Sequence, residues 1–216
     1  GYIWFEWFII GAISFLIIYH LFLLILKKKD WLYLFFSMGA MVLGIRLLVT
    51  GPSLFSWLFP SIDWNTVIKI EYLSFYLSVM FLFTYYYFLF RKYIHNAALN
   101  LVWLVSLGFS IVALAYDPNV FTQGIYIYQG FVVLLMLYLI AMIVRAAIKK
   151  EDYAVSILVA SLVLILSAVK DIFFPHYLIL NLVDSMPIAL FIFILFNAVV
   201  LSMRIIRLQF VTEKNS

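Results

Sequence analysis

Seven long apolar stretches, separated by short gaps, take up nearly the whole of this 216-residue chain. They cover residues 2–26, 31–50, 66–90, 99–116, 124–148, 153–174 and 188–210. An α-helix needs roughly 20 apolar residues to cross the hydrocarbon core of a membrane, and each stretch approaches or exceeds that length. Irregular spans and open sheets are excluded because backbone groups in lipid must be satisfied internally. The sequence therefore predicts an all-α, polytopic membrane protein, with residues 1–216 forming one seven-transmembrane-helix bundle.

Basic residues gather at every second gap. They lie at or beyond the ends of the first, third, fifth and seventh stretches, at Lys27, Lys28, Lys29, Arg91, Lys92, Arg145, Lys149, Lys150, Arg204, Arg207 and Lys214. The gaps 51–65, 117–123 and 175–187 contain neither lysine nor arginine. Since cytoplasmic loops collect these two residues, the alternation predicts an N-terminus outside and a C-terminus in the cytoplasm.

Composition supports a membrane location. Apolar residues make up 68% of the chain and charged residues 11%, whereas soluble domains have about 45–50% and about 25%. The net charge of +4 comes from the inner gaps, so the expected partner is the lipid bilayer with its anionic inner leaflet, not nucleic acid. The chain has no cysteine and begins at Gly1 without an initiator methionine or a signal-peptide pattern. We expect it to be a piece of a longer protein.

Ionisable residues cluster near the outer ends of the stretches. They are Glu6, Arg46, Lys69, Glu71, Lys170, Asp171 and Asp184. Such groups are costly in a membrane and usually face inward and pair, so we expect Arg46 to bind the carboxylate of Glu71 or Asp171. The two lysines can snorkel to water instead. Two interpretations remain open, a structural ion pair that fixes helix register and a ligand or coupling site.

Neighbouring patterns concern packing and the outer surface. Ala40 and Gly44 form a small-xxx-small pair that lets another helix approach closely, and Glu71, Ser74 and Ser78 share a polar face. The gap 51–65 is unusually apolar and carries a predicted outer docking loop, consisting of Phe55, Trp57, Phe59 and Trp64. Simple interfacial anchoring is the first interpretation of this loop and of segment 175–187; a lid or docking surface for an extracytoplasmic domain is the second.

Catalytic and cofactor chemistry finds no support in the sequence. The three histidines are too far apart along the chain to converge readily on a metal, and HExxH, glycine-rich phosphate loops and intramembrane-protease patterns are missing. We therefore predict no enzymatic activity, no metal and no cofactor. A small-solute transporter or channel is the main alternative function, although polar residues near the midplane are scattered. A purely structural anchor for a cytoplasmic enzyme is a third possibility.

Several segments resemble one known family. GIRLLVTG, then LFP, then a tryptophan before KIEYLSFYL, together with YHLFLLILKKKDWLYLFF and SAVKDIFF, are similar to the bacterial seven-transmembrane receptors with diverse intracellular signalling modules (7TMR-DISM). The matching positions are Arg46, Gly51, Pro60, Glu71, Tyr72 and Asp171.

The resemblance implies a signalling function. In that family an N-terminal extracytoplasmic sensor, often a jelly roll associated with carbohydrate, precedes the seven helices, and a cytoplasmic output domain follows them. By this resemblance the domain would transmit a signal across the bacterial inner membrane.

The seventh stretch fits such an output. Residues 204–211 contain neither glycine nor proline, so we expect this helix, with Arg204 and Arg207, to extend into the cytoplasm. A coiled-coil linker between the two chains of a homodimer could begin there.

Overall fold

The structure, a computed structural model, describes residues 31–50, 55, 58–173 and 185–214, together with nine helical positions between 7 and 22. For residues 171–173, 185, 186 and 205–214 only the backbone is described. All regular elements within these ranges are helical. The long helices are α1 (Trp31–Thr50), α2 (Trp64–Leu89), α3 (Asn96–Ala115), α4 (Ile125–Ile148), α5 (Ala154–Phe173) and α6 (Ser185–Lys214).

Five segments of the described chain are long and apolar enough to cross a membrane. They are Trp31–Thr50, Trp64–Leu89, Asn96–Ala115, Pro118–Ile148 and Pro187–Arg204. The apolar part of α5, Ala154–Lys170, is shorter. Most of the first predicted stretch, 2–26, lies outside the described residues. The all-helical membrane character is therefore confirmed, whereas the count of seven spans stays a prediction.

The start of α2 shows why helix ends differ from their predicted positions. Asp63 caps this helix, since its two carboxylate oxygens accept hydrogen bonds from the Thr66 backbone N–H at 3.0 Å and the Thr66 hydroxyl at 2.7 Å. The Thr66 hydroxyl and then its N–H lower the pKa of Asp63 below its ordinary value. An aspartate cap satisfies donors that a helix start would otherwise leave open. The helix thus begins at Trp64, two residues before the apolar pattern does.

The chain divides into two compact units, and the first is Gly1–Tyr138. Its centre is α2, which packs on both α1 and α3. Gly39 marks a close approach of α1 to α2, because a Cβ atom placed there would lie 2.8 Å from Leu82 Cδ2. A close approach of a neighbouring helix was also predicted at Ala40 and Gly44, and Ala40 is buried beside Gly39.

Side-chain hydrogen bonds join the end of α2 to α3, and the start of α3 to α4. The Tyr87 hydroxyl donates to Asn96 Oδ1 at 2.7 Å, and Trp103 Nε1 donates to the Thr84 hydroxyl at 2.9 Å. The Tyr138 hydroxyl accepts the N–H of His95, the residue before α3, at 3.2 Å. These polar groups are thereby satisfied across helices, as is usual for polar groups in a protein interior.

The second unit is Leu139–Ser216, in which α5 packs on α6. Small side chains such as Ala154, Ala160 and Ala198 are buried there, which is typical of closely packed membrane helices. The turn before α5 ends α4 with a Schellman motif, since the Glu151 N–H donates to the Ala146 carbonyl at 3.1 Å. Lys150 occupies the left-handed position of this motif with φ 57°, a place usually taken by glycine.

Candidate coupling site

Arg46 lies in the last turn of α1 and contacts α2 through two different surfaces of its guanidinium. Nη1 donates a hydrogen bond to the main-chain carbonyl oxygen of Glu71 at 3.0 Å. The Cζ atom lies 4.7 Å from the centroid of the Phe75 ring, within the range of a cation–π interaction. Glu71 and Phe75 are four residues apart and therefore lie on one face of α2. Arg46 thus joins the C-terminal end of α1 to the N-terminal part of α2.

The hydrogen bond from Arg46 to Glu71 goes to the main-chain carbonyl, which also accepts the Ser74 hydroxyl at 2.8 Å. The predicted bond from Arg46 to the carboxylate of Glu71 or Asp171 stays a prediction. The predicted polar face of α2 is likewise satisfied locally, because the Ser78 hydroxyl donates to the carbonyl of Phe75 at 2.8 Å. The side chain of Asp171, the other predicted partner, lies outside the described residues.

Lys69 connects α2 to α3 at the same end. Its Nζ donates to the Leu114 carbonyl at 3.3 Å, in the last turn of α3. Carbonyls at a helix C-terminus lack intrahelical donors and carry partial negative charge, so they attract a cation. Lys69 was expected to snorkel to water; in the structure it also binds a helix end.

An aromatic cluster lies next to Arg46 in the first unit, between α2, α3 and α4. The Phe75 ring is 5.3 Å from that of Tyr128, and the Tyr76 ring is 4.5 Å from it, both nearly edge-on. Phe121, from the helical turn Pro118–Phe121 before α4, is buried and packs edge-on against Tyr72 at 5.2 Å. Such pairs stabilise beyond simple burial. The cluster joins the turn between α3 and α4 to the face of α2 that Arg46 contacts.

The Tyr128 hydroxyl joins three helices at one point. It lies 2.9 Å from the Ser106 hydroxyl of α3 and donates to the Tyr76 carbonyl of α2 at 3.3 Å. We call these three groups the Tyr128 junction. Sequence reasoning missed both the junction and Phe121. The spacing of Tyr72 and Tyr76 on one helix face and the Asp-Pro start before Phe121 were the available signals.

The predicted outer docking loop has both buried and exposed members. Phe55 is 8% exposed, and its ring lies 5.2 Å from that of Phe59. Phe59 is 49% exposed and Trp64 71% exposed, whereas Trp57 lies outside the described residues. Large apolar groups near a predicted membrane boundary are suited to interfacial anchoring. Phe59 and Trp64 are therefore the described members available to a partner or to lipid.

The remaining predicted site residues are spread along the chain. Lys170 is exposed, and Arg204 is partly buried. Glu6 and Asp184 lie outside the described residues, as does the side chain of Arg207. Within the described ranges, no three histidine, aspartate or glutamate side chains come together as a metal site would require. Within the described residues, the candidate coupling site therefore consists of Arg46, Lys69, the Glu71 carbonyl and the aromatic cluster.

Together, the apolar helices and the arrangement around Arg46 describe a multi-pass membrane protein. The family model described as 7TM diverse intracellular signalling matches residues 2–204. The chain belongs to this family, the 7TMR-DISM seven-transmembrane domain, and is therefore a membrane receptor domain with a signalling role. No match was found among curated proteins or among solved structures.

Proposed function

We propose that this domain carries an extracytoplasmic signal through a seven-helix bundle to a C-terminal cytoplasmic output module. The N-terminus lies outside, the C-terminus lies in the cytoplasm, and the membrane is the bacterial inner membrane. The domain itself is not an enzyme and needs no cofactor; any catalysis belongs to the output module. Its partners are the lipid bilayer, an extracytoplasmic sensor domain and a cytoplasmic signalling domain of the same chain, and a second copy in a homodimer. A carbohydrate is the proposed class of signal.

One observation supports this proposal above all others, the length of α6. This helix has 30 residues, or about 45 Å at the usual helical rise. Its apolar part, Pro187–Arg204, has 18 residues, or about 27 Å, close to the thickness of a hydrocarbon core. Residues 205–214 continue the helix about 15 Å further. A continuous helix can transmit rotation or displacement from the bundle to whatever is attached beyond it.

The buried face of α6 supports transmission through a coiled coil. Four residues of α6 are each 0% exposed and follow the 4–3–4 spacing of a heptad repeat: Leu190, Ile194, Asn197 and Leu201. The same spacing leads from Leu201 through Arg204 to Leu208 and Val211. A heptad repeat that continues past the membrane favours pairing with a second copy. The contacts of Arg46 with α2 are the proposed input to the bundle.

Alanine insertions after Leu208 in the intact receptor test this mechanism. Each inserted residue rotates the following helix by about 100°, so two insertions turn an attached module by about 200° and seven return it to within about 20°. We expect two inserted alanines to change basal output or abolish the response, and seven to restore it. Immunoblotting of the membrane fraction controls for expression.

A response that is the same for insertions of two and seven residues would contradict transmission through α6. The transporter or channel alternative is tested separately by solute flux in liposomes. The signalling proposal predicts no flux above that of empty liposomes.

A further inference from the structure

Tyr76 presents a buried hydroxyl that is not hydrogen-bonded. The residue is 0% exposed in the middle of the aromatic cluster. Its hydroxyl has no hydrogen-bond partner, and within the described part of the chain only the Ser37 hydroxyl shares this property among buried side-chain polar atoms. A buried hydroxyl that makes no hydrogen bond has lost its hydrogen bonds to water and gained none in the protein, which costs free energy. Native proteins rarely tolerate this, so the position calls for an explanation.

The adjacent tyrosine has the opposite property. Tyr128 is also 0% exposed, yet its hydroxyl takes part in two hydrogen bonds of the Tyr128 junction. A phenol has one proton, and Tyr128 donates it to the Tyr76 carbonyl, so Ser106 must be the donor in the other bond. The donated bond is 3.3 Å long, beyond the usual range for a hydroxyl donor. The hydrogen bond from Tyr128 to α2 is therefore weak. The Tyr76 hydroxyl beside it makes no hydrogen bond.

An alternative set of partners lies on the same face of α3. Ser110 is one turn from Ser106 and is buried with it, and its hydroxyl donates to the Ser106 carbonyl at 2.8 Å. Phe109, between these serines in sequence, already packs against Tyr76 with ring centroids 5.5 Å apart. Each serine hydroxyl retains acceptor capacity. A small rotation of α2 against α3 would offer that capacity to Tyr76.

We propose that Tyr76 and Tyr128 form a two-state hydroxyl switch between α2, α3 and α4. In the described state the Tyr128 junction is made and the Tyr76 hydroxyl is unpaired. In the second state the Tyr76 hydroxyl donates to a serine of α3 and the bond from Tyr128 to α2 is broken. Each state makes one hydroxyl bond that the other lacks, from Tyr128 to α2 in the described state and from Tyr76 to α3 in the second.

Phe75 places this switch in contact with the coupling site. Its ring lies 4.7 Å from the Arg46 guanidinium and 5.3 Å from the Tyr128 ring. A displacement of Arg46 would therefore act on Tyr128 through one intervening side chain. Contiguity alone does not show coupling, which requires two states that both sites can bias. The switch extends the proposed function, but it can be tested without any output module by measuring conformation.

The absence of cysteine from the sequence makes distance measurements straightforward. Cysteines at Asn65 on α2 and Ile127 on α4, both exposed in the structure, can carry nitroxide labels in the full chain in lipid nanodiscs. Double electron–electron resonance then reports the distribution of distances between the two helices. Tyr76→Phe removes the unpaired hydroxyl of the described state, and Tyr128→Phe removes the junction that holds it. The matched control is Tyr126→Phe, since Tyr126 is 79% exposed.

The switch predicts opposite effects of the two substitutions. Tyr76→Phe should shift the populations toward the described distance by about 5- to 150-fold, which corresponds to the usual cost of one unsatisfied buried hydroxyl. Tyr128→Phe should populate the second distance, and Tyr126→Phe should match the unsubstituted chain. A distribution that neither Tyr76→Phe nor Tyr128→Phe changes would overturn the switch. It would leave the proposed signalling function untouched.

Discussion

Arg46 contacts α2 through the main chain of one residue and the aromatic ring of another. Its hydrogen bond goes to the Glu71 carbonyl, and its flat face lies on Phe75. Removing the guanidinium would lose a charge-assisted hydrogen bond of about 1.5–3 kcal/mol and a cation–π contact of about 0.5–2 kcal/mol. We therefore expect Arg46→Ala to lower the thermal stability of the chain in detergent clearly, as measured by scanning fluorimetry.

Glu71→Gln is the matched control for that substitution. It preserves the carbonyl and changes only a side chain whose carboxylate is not the acceptor of the Arg46 bond. The expected change is within about 0.5 kcal/mol, as for other substitutions away from structural contacts. Arg46→Lys should be intermediate, because a lysine keeps the charge but cannot reproduce the planar stack. Equal losses of stability in Arg46→Ala and Glu71→Gln would show that the carboxylate carries the interaction.

The sequence predicted that Arg46 contacts Glu71, but not that the main-chain carbonyl of Glu71 accepts the hydrogen bond. The cost of an intramembrane charge led to Arg46, and helical spacing led to Glu71 as its neighbour. A main-chain carbonyl has no signature in the sequence, so the actual acceptor could not be identified. The Tyr128 junction was missed for a related reason, since Tyr128 and Ser106 become neighbours only once three helices have packed.

Helices α1 and α2 approach closely at Gly39, because this residue has no side chain. A Cβ there would come within 2.8 Å of Leu82 Cδ2 and 3.5 Å of the Leu82 backbone nitrogen. Gly39→Val should therefore overpack this contact and cost about 1–3 kcal/mol. Gly108→Val is the matched control, since a Cβ at Gly108 would meet nothing within 4 Å. Because both substitutions replace a helical glycine by valine, they change helix propensity equally. The difference in melting temperature between the two variants therefore reports the packing of α1 against α2 at Gly39.

A second substitution tests the same contact from the other helix. Leu82→Ala removes the atoms that the valine would strike, so adding it to Gly39→Val should recover part of the lost stability. The coupling between the two substitutions should fall in the range of about 0.5–3 kcal/mol typical of residues in contact. Strictly additive effects would mean that Gly39 and Leu82 do not share this contact.

Helix ends were less predictable than helix existence. Apolar length locates a span, but caps and polar continuations decide where the helix stops. Asp63 moves the start of α2 to Trp64, and α6 continues to Lys214 because residues 205–214 contain no helix breaker. The close approach at Gly39 was not predicted, since spacing alone does not fix which small residue faces a neighbouring helix.

The number of spans in the whole molecule depends on two segments. The described positions of the first stretch are helical, namely residues 7, 8, 11, 12, 14, 15, 18, 19 and 22. Phe8, Phe15 and Phe22 are exposed there, as expected for a lipid-facing surface. The apolar part of α5, Ala154–Lys170, is about 26 Å long, slightly short of a typical hydrocarbon core. The charge pattern predicts that α5 crosses the membrane, because without this crossing the residues Arg204, Arg207 and Lys214 would lie outside, against the positive-inside rule.

Reporter fusions test that topology directly. Alkaline phosphatase is active only outside the cytoplasm, whereas green fluorescent protein fused to the same sites fluoresces only inside. We expect fluorescence after Lys29, Tyr93, Glu151 and Ser216, and phosphatase activity after Pro60, Asn119 and Leu180. The decisive pair is Glu151 and Leu180, since these sites flank α5 and must give opposite reporters if it crosses. Fluorescence at both sites, or phosphatase activity after Lys29, would contradict seven spans with an outside N-terminus and would break the proposed path from an external sensor through α6 to the cytoplasm.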